Sequence, residues 1–141
     1  MPNALTLKII TPERVVLEQA VDEVSACAVD GEFEVLPEHI PLVTALANDV
    51  LMYKSEGKES VAAVLGGILE VSNNTVTVLS NAAELATEID EARARQAKER
   101  AEAEKTQRTD KLGVYLAEMA LSRAMARLKV TELLRHRQHR Q

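Results

Sequence analysis

The chain has 141 residues, of which 46% are hydrophobic, 28% are charged and only 2% are aromatic. This composition is typical of a globular protein and excludes a disordered one, and the length allows one domain or a small domain with an appendage. No apolar run approaches the roughly 20 residues of a membrane span, so we expect no transmembrane helix. We also expect no signal peptide, and no internal disulfide because Cys27 is the only cysteine.

The net charge of −5 is unevenly distributed along the chain. Residues 1–80 carry 4 Lys or Arg against 12 Asp or Glu, whereas residues 81–141 carry 13 against 10. From Lys111 onward the local charge is +5. These opposite signs predict two surfaces with different partners, or a basic end that folds back on the acidic half.

Short apolar runs that alternate with polar residues predict strands in the first 80 residues. The predicted strands are Leu5–Ile9, Val15–Glu18, Val21–Ala28, Glu32–Leu36, Leu42–Leu46, Val50–Lys54, Val61–Leu65, Gly67–Val71 and Thr75–Val78. Asn73–Asn74 is a predicted two-residue turn, and Gly66–Gly67 is predicted to be a bulge or a tight join between two apolar runs. Short strands at this spacing favour an antiparallel sandwich or barrel.

A change of character at residues 87–94 separates this part from one rich in Ala, Glu, Lys and Arg. Thr87 is the predicted N-cap of a first helix, with Asp90 facing the free amide groups of the first turn. We predict this helix from about Glu88 to Gln107 and a second from about Leu112 to Leu134.

The two predicted helices differ in their apolar surface. The stripe of the first is thin (Ile89, Ala94, Ala97 and Ala101), so this helix is marginal alone. A break at Thr109–Asp110 offers a cap for the second, whose predicted broad apolar face comprises Leu116, Ala117, Ala120, Leu121, Ala124, Met125 and Leu128. An antiparallel hairpin buries both faces, and the tail after Leu134 is predicted to fray.

No motif predicts an enzyme, since GxxxxGK[ST], GxSxG, HExxH and CxxC patterns are all missing. Cys27, between two alanines, is predicted to be a small core residue. His39 lies between two prolines without a nucleophile nearby, which favours a structural or interface role. His136 and His139 have no further ligands close by, so no metal site is predicted. The basic second helix is better suited to an acidic protein surface than to nucleic acid.

Residues 31–46, GEFEVLPEHIPLVTAL, resemble the signature GEFGVLPGHAPLVTAL of the epsilon subunits of F-type ATP synthases. Residues 89–94, IDEARA, fit that family's [IL]DxxRA helix start. Further segments match the family in chain order, at residues 11–16, 65–71, 76–79 and 117–128. The resemblance therefore covers nearly the whole chain.

The resemblance implies an N-terminal antiparallel β-sandwich of about ten strands followed by a C-terminal antiparallel two-helix hairpin. Residues 1–84 would form the sandwich, which docks on the gamma subunit and the c-ring, and residues 85–141 the regulatory hairpin. The implied protein is a non-catalytic central-stalk subunit that couples proton flow to rotation. One copy would work with the gamma, alpha and beta subunits and the c-ring, at the cytoplasmic face of the inner membrane. It would neither insert into the membrane nor bind nucleic acid.

The resemblance also implies where the partners make contact. An extended hairpin would reach the catalytic alpha–beta ring, and its basic second helix would inhibit ATP hydrolysis through Arg123, Arg127, Lys129 and, more weakly, Arg135. The sandwich would contact gamma or the c-ring through Asp30, Gly31, Glu32, Phe33, His39 and Pro41.

Some bacterial members of the family bind ATP on the folded hairpin, as a regulatory ligand and not as a required cofactor. The motif equivalents here are Glu84, Ile89, Asp90, Arg93, Arg123 and Arg127. Guanidinium groups would hold the phosphates, and carboxylate and backbone groups the base and ribose. In the structural alternative, Asp90 caps the helix and Arg93 pairs with a neighbouring carboxylate.

The sequence departs from the family signature at three positions. Glu34 and Glu38 replace glycines and Ile40 replaces an alanine, so Glu38 occupies a position where the backbone is normally permissive.

Two functions from other classes stay open: a free-standing ATP-sensing regulator, and an adaptor whose helices recruit an acidic protein or nucleic acid. The acidic loop at residues 31–41, with its two prolines, favours docking into a fixed complex over both.

Overall fold

The computed structural model describes residues 4–140, with side chains described up to residue 137. Within this range the chain forms eight strands, a short 3₁₀ turn and two helices. The strands are β1 (Leu5–Ile10), β2 (Val15–Val21), β3 (Glu23–Ala28), β4 (Gly31–Val35), β5 (Leu42–Ser55), β6 (Lys58–Ser72), β7 (Thr75–Leu79) and β8 (Ala83–Leu85). The turn is Ala86–Glu88, and the helices are α1 (Glu91–Gln107) and α2 (Lys111–Arg140). The predicted sandwich followed by a helical hairpin is confirmed.

The number of strands is eight and not about ten: four of the nine strands predicted from the sequence are halves of two long ones, and β8 was not predicted. Leu42–Leu46 and Val50–Lys54 both belong to β5, and the two predicted strands before and after Gly66 both belong to β6. The pairing of β5 with β6 is interrupted at Ala47 and Gly66, but the register is the same on both sides, so no residue is inserted and no bulge forms there. The predicted strand Val21–Ala28, in contrast, is divided at Asp22 between β2 and β3.

The long strands β5 and β6 join the two layers of the sandwich. The first half of β6 pairs with β8 and its second half with β7, while β1 continues the second layer to β2. On the other side, β3 pairs with β5 and with β4, which lies at the sheet edge. Among the described strands β1 and β7 run parallel, which departs from the predicted antiparallel order.

The core between the layers follows from alternation along the strands. In β1, Leu5, Leu7 and Ile9 are at most 1% exposed, whereas the residues between them are half-buried. Aliphatic side chains dominate this core: Val21, Val24, Val35, Leu51, Leu69, Val71, Val76 and Val78 are also almost fully buried. Cys27, predicted to be a core residue, instead lies half-buried on the outward side of β3, because its neighbours Ala26 and Ala28 take the inward positions.

The first helix begins three residues later than predicted, and Asp90 caps it in place of Thr87. The Asp90 carboxylate accepts a hydrogen bond from the Arg93 N–H at 3.1 Å. Thr87 lies in the 3₁₀ turn, where the Glu88 carboxylate accepts from the Leu85 N–H at 2.9 Å. The chain is extended at Ile89 after that turn, so a helix can start only at the next cap.

The second helix starts at the predicted break, where the Asp110 carboxylate accepts from the Gly113 N–H at 2.8 Å. It continues to Arg140, so the prediction that the tail frays after Leu134 is wrong for the described backbone. Contacts with the rest of the protein hold this last part: Leu133 and Leu134 pack on a second apolar cluster, and Arg137 pairs with Glu59 at 2.9 Å. Gln141 lies outside the described residues.

Two different faces of α2 are buried. Ala126 and Val130 pack with Val61, Ala63 and Leu65, on the outward side of β6. Four alanines at seven-residue spacing, Ala94 and Ala101 of α1 and Ala117 and Ala124 of α2, are at most 4% exposed and form the seam between the helices. The predicted single broad face is therefore wrong in part, because Leu116 and Met125 are more than half exposed. The buried positions beside them are alanines: Ala117 after Leu116, and Ala124 and Ala126 on either side of Met125.

No helix in residues 4–140 is long and apolar enough to cross a membrane.

Candidate functional site

Ion pairs and hydrogen bonds join the basic helix α2 to the acidic strands beneath it. Lys129 Nζ donates to Asp49 Oδ1 of β5 at 3.1 Å, and the Arg127 guanidinium donates to Glu84 of β8. Ser122 accepts a hydrogen bond from the Asn48 amide at 3.3 Å. The basic end thus folds back on the acidic half, one of the two arrangements predicted from the charge distribution.

Asp49 is at the centre of this interface. Burial alone raises the pKa of its carboxyl, but the hydrogen bonds from the Val50 N–H and the Lys129 ammonium outweigh burial and hold that pKa below its usual value. Burial and the nearby Asp49 raise the pKa of the Cys27 thiol, so this cysteine is a poor nucleophile. Both residues line a cavity of about 600 Å³ between β3, β5 and the end of α2.

A second set of contacts ties the C-terminal half of α2 to the start of α1. The Arg135 guanidinium donates to the Glu91 carboxylate, which also accepts from Arg95 at 2.9 Å. These guanidinium groups, Arg135 first, hold the pKa of Glu91 below its ordinary value. At the turn before α1, the hydrogen bond from the Leu85 N–H and the Arg14 guanidinium at 2.8 Å likewise lower the pKa of Glu88.

The four predicted inhibitory residues all lie on α2, and three of them are occupied by these internal pairs. Arg127, Lys129 and Arg135 contact Glu84, Asp49 and Glu91 respectively. Arg123 is half-buried, and none of its polar groups bonds another residue within the described part of the chain. In the docked hairpin, three positive charges are therefore turned towards the protein itself.

The six residues predicted for ATP are only partly brought together. Glu84 and Arg127 are in contact, and Arg123 lies one turn before Arg127 on the same side of α2. Ile89 packs against the cluster below α2, and Asp90 uses its carboxylate as the helix cap. Arg93 is exposed, and within residues 4–137 it forms no ion pair, so the alternative that pairs it with a neighbouring carboxylate is wrong.

The residues predicted to contact gamma or the c-ring do not form one patch. Asp30 lies in the turn before β4 and Gly31 is the first residue of that strand, whereas His39 and Pro41 lie in the loop after it. The strand between them separates the two groups by roughly 13 Å at the usual rise per residue. Glu32 and Phe33, within β4, border the cavity that faces Lys129.

An exposed apolar row crosses the sheet on the layer that α2 leaves uncovered, and sequence reasoning missed it. The cross-strand register places Ala45 opposite Ile68, Ile68 opposite Leu79, Leu79 opposite Ile10 and Ile10 opposite Val15. Ile68, Leu79 and Val15 are 49%, 52% and 57% exposed. Five strands contribute one residue each, so the row becomes visible only when their pairing is known. We call these five residues the apolar row.

Comparisons with known proteins agree with this architecture. Residues 4–86 match the beta-sandwich domain of the ATP synthase delta/epsilon chain, and residues 87–132 match its long alpha-helix domain. The ATP synthase epsilon chain of Nitratidesulfovibrio vulgaris is 48% identical over 130 residues, covering 92% of this chain and 97% of the relative. That of Symbiobacterium thermophilum is 47% identical over 133 residues, covering 94% and 96%.

Solved structures show the same fold. A chain of the Euglena gracilis mitochondrial ATP synthase superposes with a TM-score of 0.79 and 26% identity, covering 92% of this chain and 81% of that one. A chain of the Tetrahymena thermophila enzyme has a TM-score of 0.62 at 15% identity, which bears on the fold alone. The chain therefore belongs to the family of ATP synthase epsilon chains, which are non-catalytic central-stalk subunits of F-type ATP synthases.

Proposed function

We propose that the sandwich binds the gamma subunit through the apolar row and rests against the c-ring, so that proton flow is coupled to rotation. The observation that carries this proposal is the row itself, because several exposed aliphatic side chains in line form a patch that monomeric proteins seldom leave uncovered. The opposite layer is already covered by α2, so the row lies on the face that is free for another subunit. In the Euglena enzyme, the similar chain is part of a structure of OSCP, F1 and the c-ring.

The remaining predicted contacts lie at the two ends of β4. We assign Asp30 and Gly31 and the loop with His39 and Pro41 to the rotor, meaning gamma together with the c-ring, at the cytoplasmic face of the inner membrane. Glu32 and Phe33 border the cavity near α2, so their contact with the rotor would depend on where the hairpin lies.

For the hairpin we propose an inhibitory role in which α2 leaves the sandwich and enters the alpha–beta ring. The seam between α1 and α2 consists of alanines, each of which buries little area, so the two helices are held to each other more weakly than the layers of the sandwich core. On undocking, Arg127, Lys129 and Arg135 would exchange internal carboxylates for acidic groups of the catalytic ring. Arg123 is already without such a partner among the described residues.

A reversible covalent lock tests this role with the full chain. Asn48→Cys and Ser122→Cys, combined with Cys27→Ser, place two thiols where the native side chains approach to 3.3 Å. We expect the oxidised chain to bind the alpha–beta–gamma complex without slowing ATP hydrolysis, and the reduced chain to slow it. Equal inhibition in both states would refute the moving hairpin. A chain that binds no gamma in either state would refute the stalk role and favour the free-standing regulator.

We further propose ATP as a regulatory ligand of the docked hairpin, gripped by Arg123 and Arg127. Their spacing of four residues puts both guanidinium groups on one side of α2, next to Glu84. Thermal unfolding of the full chain with and without magnesium ATP tests this, with Arg123→Ala and Arg127→Ala as variants. We expect ATP to raise the unfolding temperature of the native chain but not that of either variant. If ATP does not raise the unfolding temperature of the native chain, the site is excluded.

A further inference from the structure

The loop at residues 36–41, between β4 and β5, is exposed yet fixed in shape. Leu36 and Ile40 are 50% and 75% exposed, which is unusual for two large aliphatic side chains so close together in a chain. Pro37 and Pro41 restrict the backbone on either side. The His39 ring Nδ1 lies 2.7 Å from the Ile40 carbonyl oxygen, which further limits the loop.

The side chain of Asn74 holds this loop from the opposite turn. The Glu38 N–H donates to Asn74 Oδ1 at 2.7 Å, and Asn74 Nδ2 donates to Glu38 Oε1 at 3.3 Å. Asn74 itself is anchored, because its carbonyl accepts a hydrogen bond from the Thr6 N–H of β1 at 3.0 Å. We call the reciprocal pair of hydrogen bonds the Glu38–Asn74 clasp.

The backbone of Glu38 shows what the clasp achieves. Its φ is +68°, a left-handed conformation that residues other than glycine seldom adopt, and Asn74 has φ +60°. At this position the family signature has glycine, which takes such a conformation freely. The chain therefore keeps the glycine-like turn with a glutamate, and the two bonds to Asn74 compensate for the unfavourable backbone.

We propose that Asn74 is a positioning residue that preorganises the loop at residues 36–41, so that Ile40 meets the rotor in a fixed geometry. This inference rests on the proposed function, in which this loop docks on the rotor. A preformed loop loses less conformational freedom on binding than a loose one, so the clasp increases affinity without touching the partner.

Matched substitutions in one turn separate this role from general stability. Asn74→Gly keeps the left-handed backbone but removes the amide that forms the clasp. Asn73→Gly is the control, because Asn73 has φ +49° in the same turn and its side chain makes no hydrogen bond to the loop. Glu38→Gln keeps an acceptor for Asn74 Nδ2, so it should behave like the native chain. Ile40→Ser tests directly whether the loop docks.

Two measurements on the full chain decide the outcome. Hydrogen exchange of the free chain should show the Glu38 amide exchanging at least about tenfold faster in Asn74→Gly, with β1 and β7 unchanged. The dissociation constant for a complex of gamma and the c-ring should rise about three- to tenfold in Asn74→Gly and stay unchanged in Asn73→Gly and Glu38→Gln.

The failures of the two proposals are distinguishable. If Ile40→Ser weakens binding to the complex of gamma and the c-ring but Asn74→Gly does not, the positioning role is overturned. The stalk function then still stands. Unchanged exchange at Glu38 in Asn74→Gly would also overturn it. If the native chain does not bind the complex of gamma and the c-ring at all, the proposed function fails and the positioning role fails with it.

Discussion

Lys129 of α2 and Asp49 of β5, 80 residues apart in the chain, form an ion pair of 3.1 Å across the interface between the hairpin and the sandwich. Lys129 is also one of the residues that the family resemblance assigns to inhibition of the catalytic ring. One ammonium group cannot serve both contacts, so the acidic outer face of the sandwich competes with any acidic partner for α2. If the hairpin undocks as proposed, breaking these internal pairs is part of the free energy that undocking requires.

Asp49→Asn should shift the hairpin towards the undocked state. Asparagine retains an acceptor for the Val50 N–H but removes the charge that attracts Lys129. A partly exposed pair of this kind contributes about 0.2–1 kcal/mol, so we expect inhibition of ATP hydrolysis to increase up to about fivefold. Glu70→Gln is the control, since this exposed acid on β6 makes the same charge change without an ion pair in the described residues. Weaker inhibition by Asp49→Asn would contradict the competition.

Acid should release the hairpin as well. Asp49 is the carboxyl with a depressed pKa that joins the sandwich to α2, and its folded-state pKa lies below the ordinary 3.8. A carboxyl whose pKa is lower in the folded state than in the unfolded state stabilises the fold fully when the pH is above its unfolded-state pKa. That stabilisation is lost as the pH falls through its folded-state pKa. Docking should therefore be constant above about pH 5 and weaken below about pH 4.5. A fluorescence distance between α2 and β5 measures this, and Asp49→Asn should flatten the lower part of the curve.

The sequence predicts the two-part architecture well, because period-two and helical patterns reflect which faces are buried and need no knowledge of tertiary contacts. It cannot tell that β5 and β6 are continuous, because Gly66 interrupts the apolar pattern although β6 runs through it without a change of register. The partner of Lys129 and the members of the apolar row depend on the register between elements distant in the chain, so no local pattern contains them. Thr87 and Asp90 are both good N-caps, so the sequence alone does not decide which of them starts the helix.

The last turns of α2 should stabilise the docked hairpin beyond the part that matches the family's helix domain, which ends at residue 132. Arg137 pairs with Glu59, and Leu134 packs on the cluster beneath α2. Leu134→Ser with Arg137→Gln should therefore increase undocking and inhibition in the same direction as Asp49→Asn. His136→Gln, at an exposed position between them, is the control and should change neither. A double variant that docks normally would show that these turns contribute nothing.

Polar substitutions in the apolar row should weaken binding to gamma without affecting the fold. Ile68 and Leu79 face each other across β6 and β7 and are about half exposed, so serine at either position removes little buried surface. If the row is a central contact, each substitution should raise the dissociation constant for gamma about thirtyfold. This corresponds to a loss of about 2 kcal/mol of binding free energy, which is typical of a central interface residue. Leu112→Ser, on α2 and 66% exposed, is a matched control. Titration with gamma measures the binding of each variant, and a separate unfolding curve of each variant measures its stability.

The neighbouring glycines of β6, Gly66 and Gly67, should respond very differently to alanine. A Cβ at Gly67 would lie 2.2 Å from the Leu79 carbonyl oxygen and 2.9 Å from the Ser80 Cα, and backbone atoms in a paired strand cannot move aside without breaking the ladder. A Cβ at Gly66 would meet only the Asn48 side chain, at 3.5 Å, although both glycines have positive φ. We expect Gly67→Ala to lower the free energy of unfolding by about 2–4 kcal/mol and Gly66→Ala by about 1 kcal/mol. Urea unfolding of the full chain measures the free energy of unfolding of each variant. If both variants lose the same amount, the positive φ of the backbone explains the need for glycine at position 67, and the close approach of β7 does not.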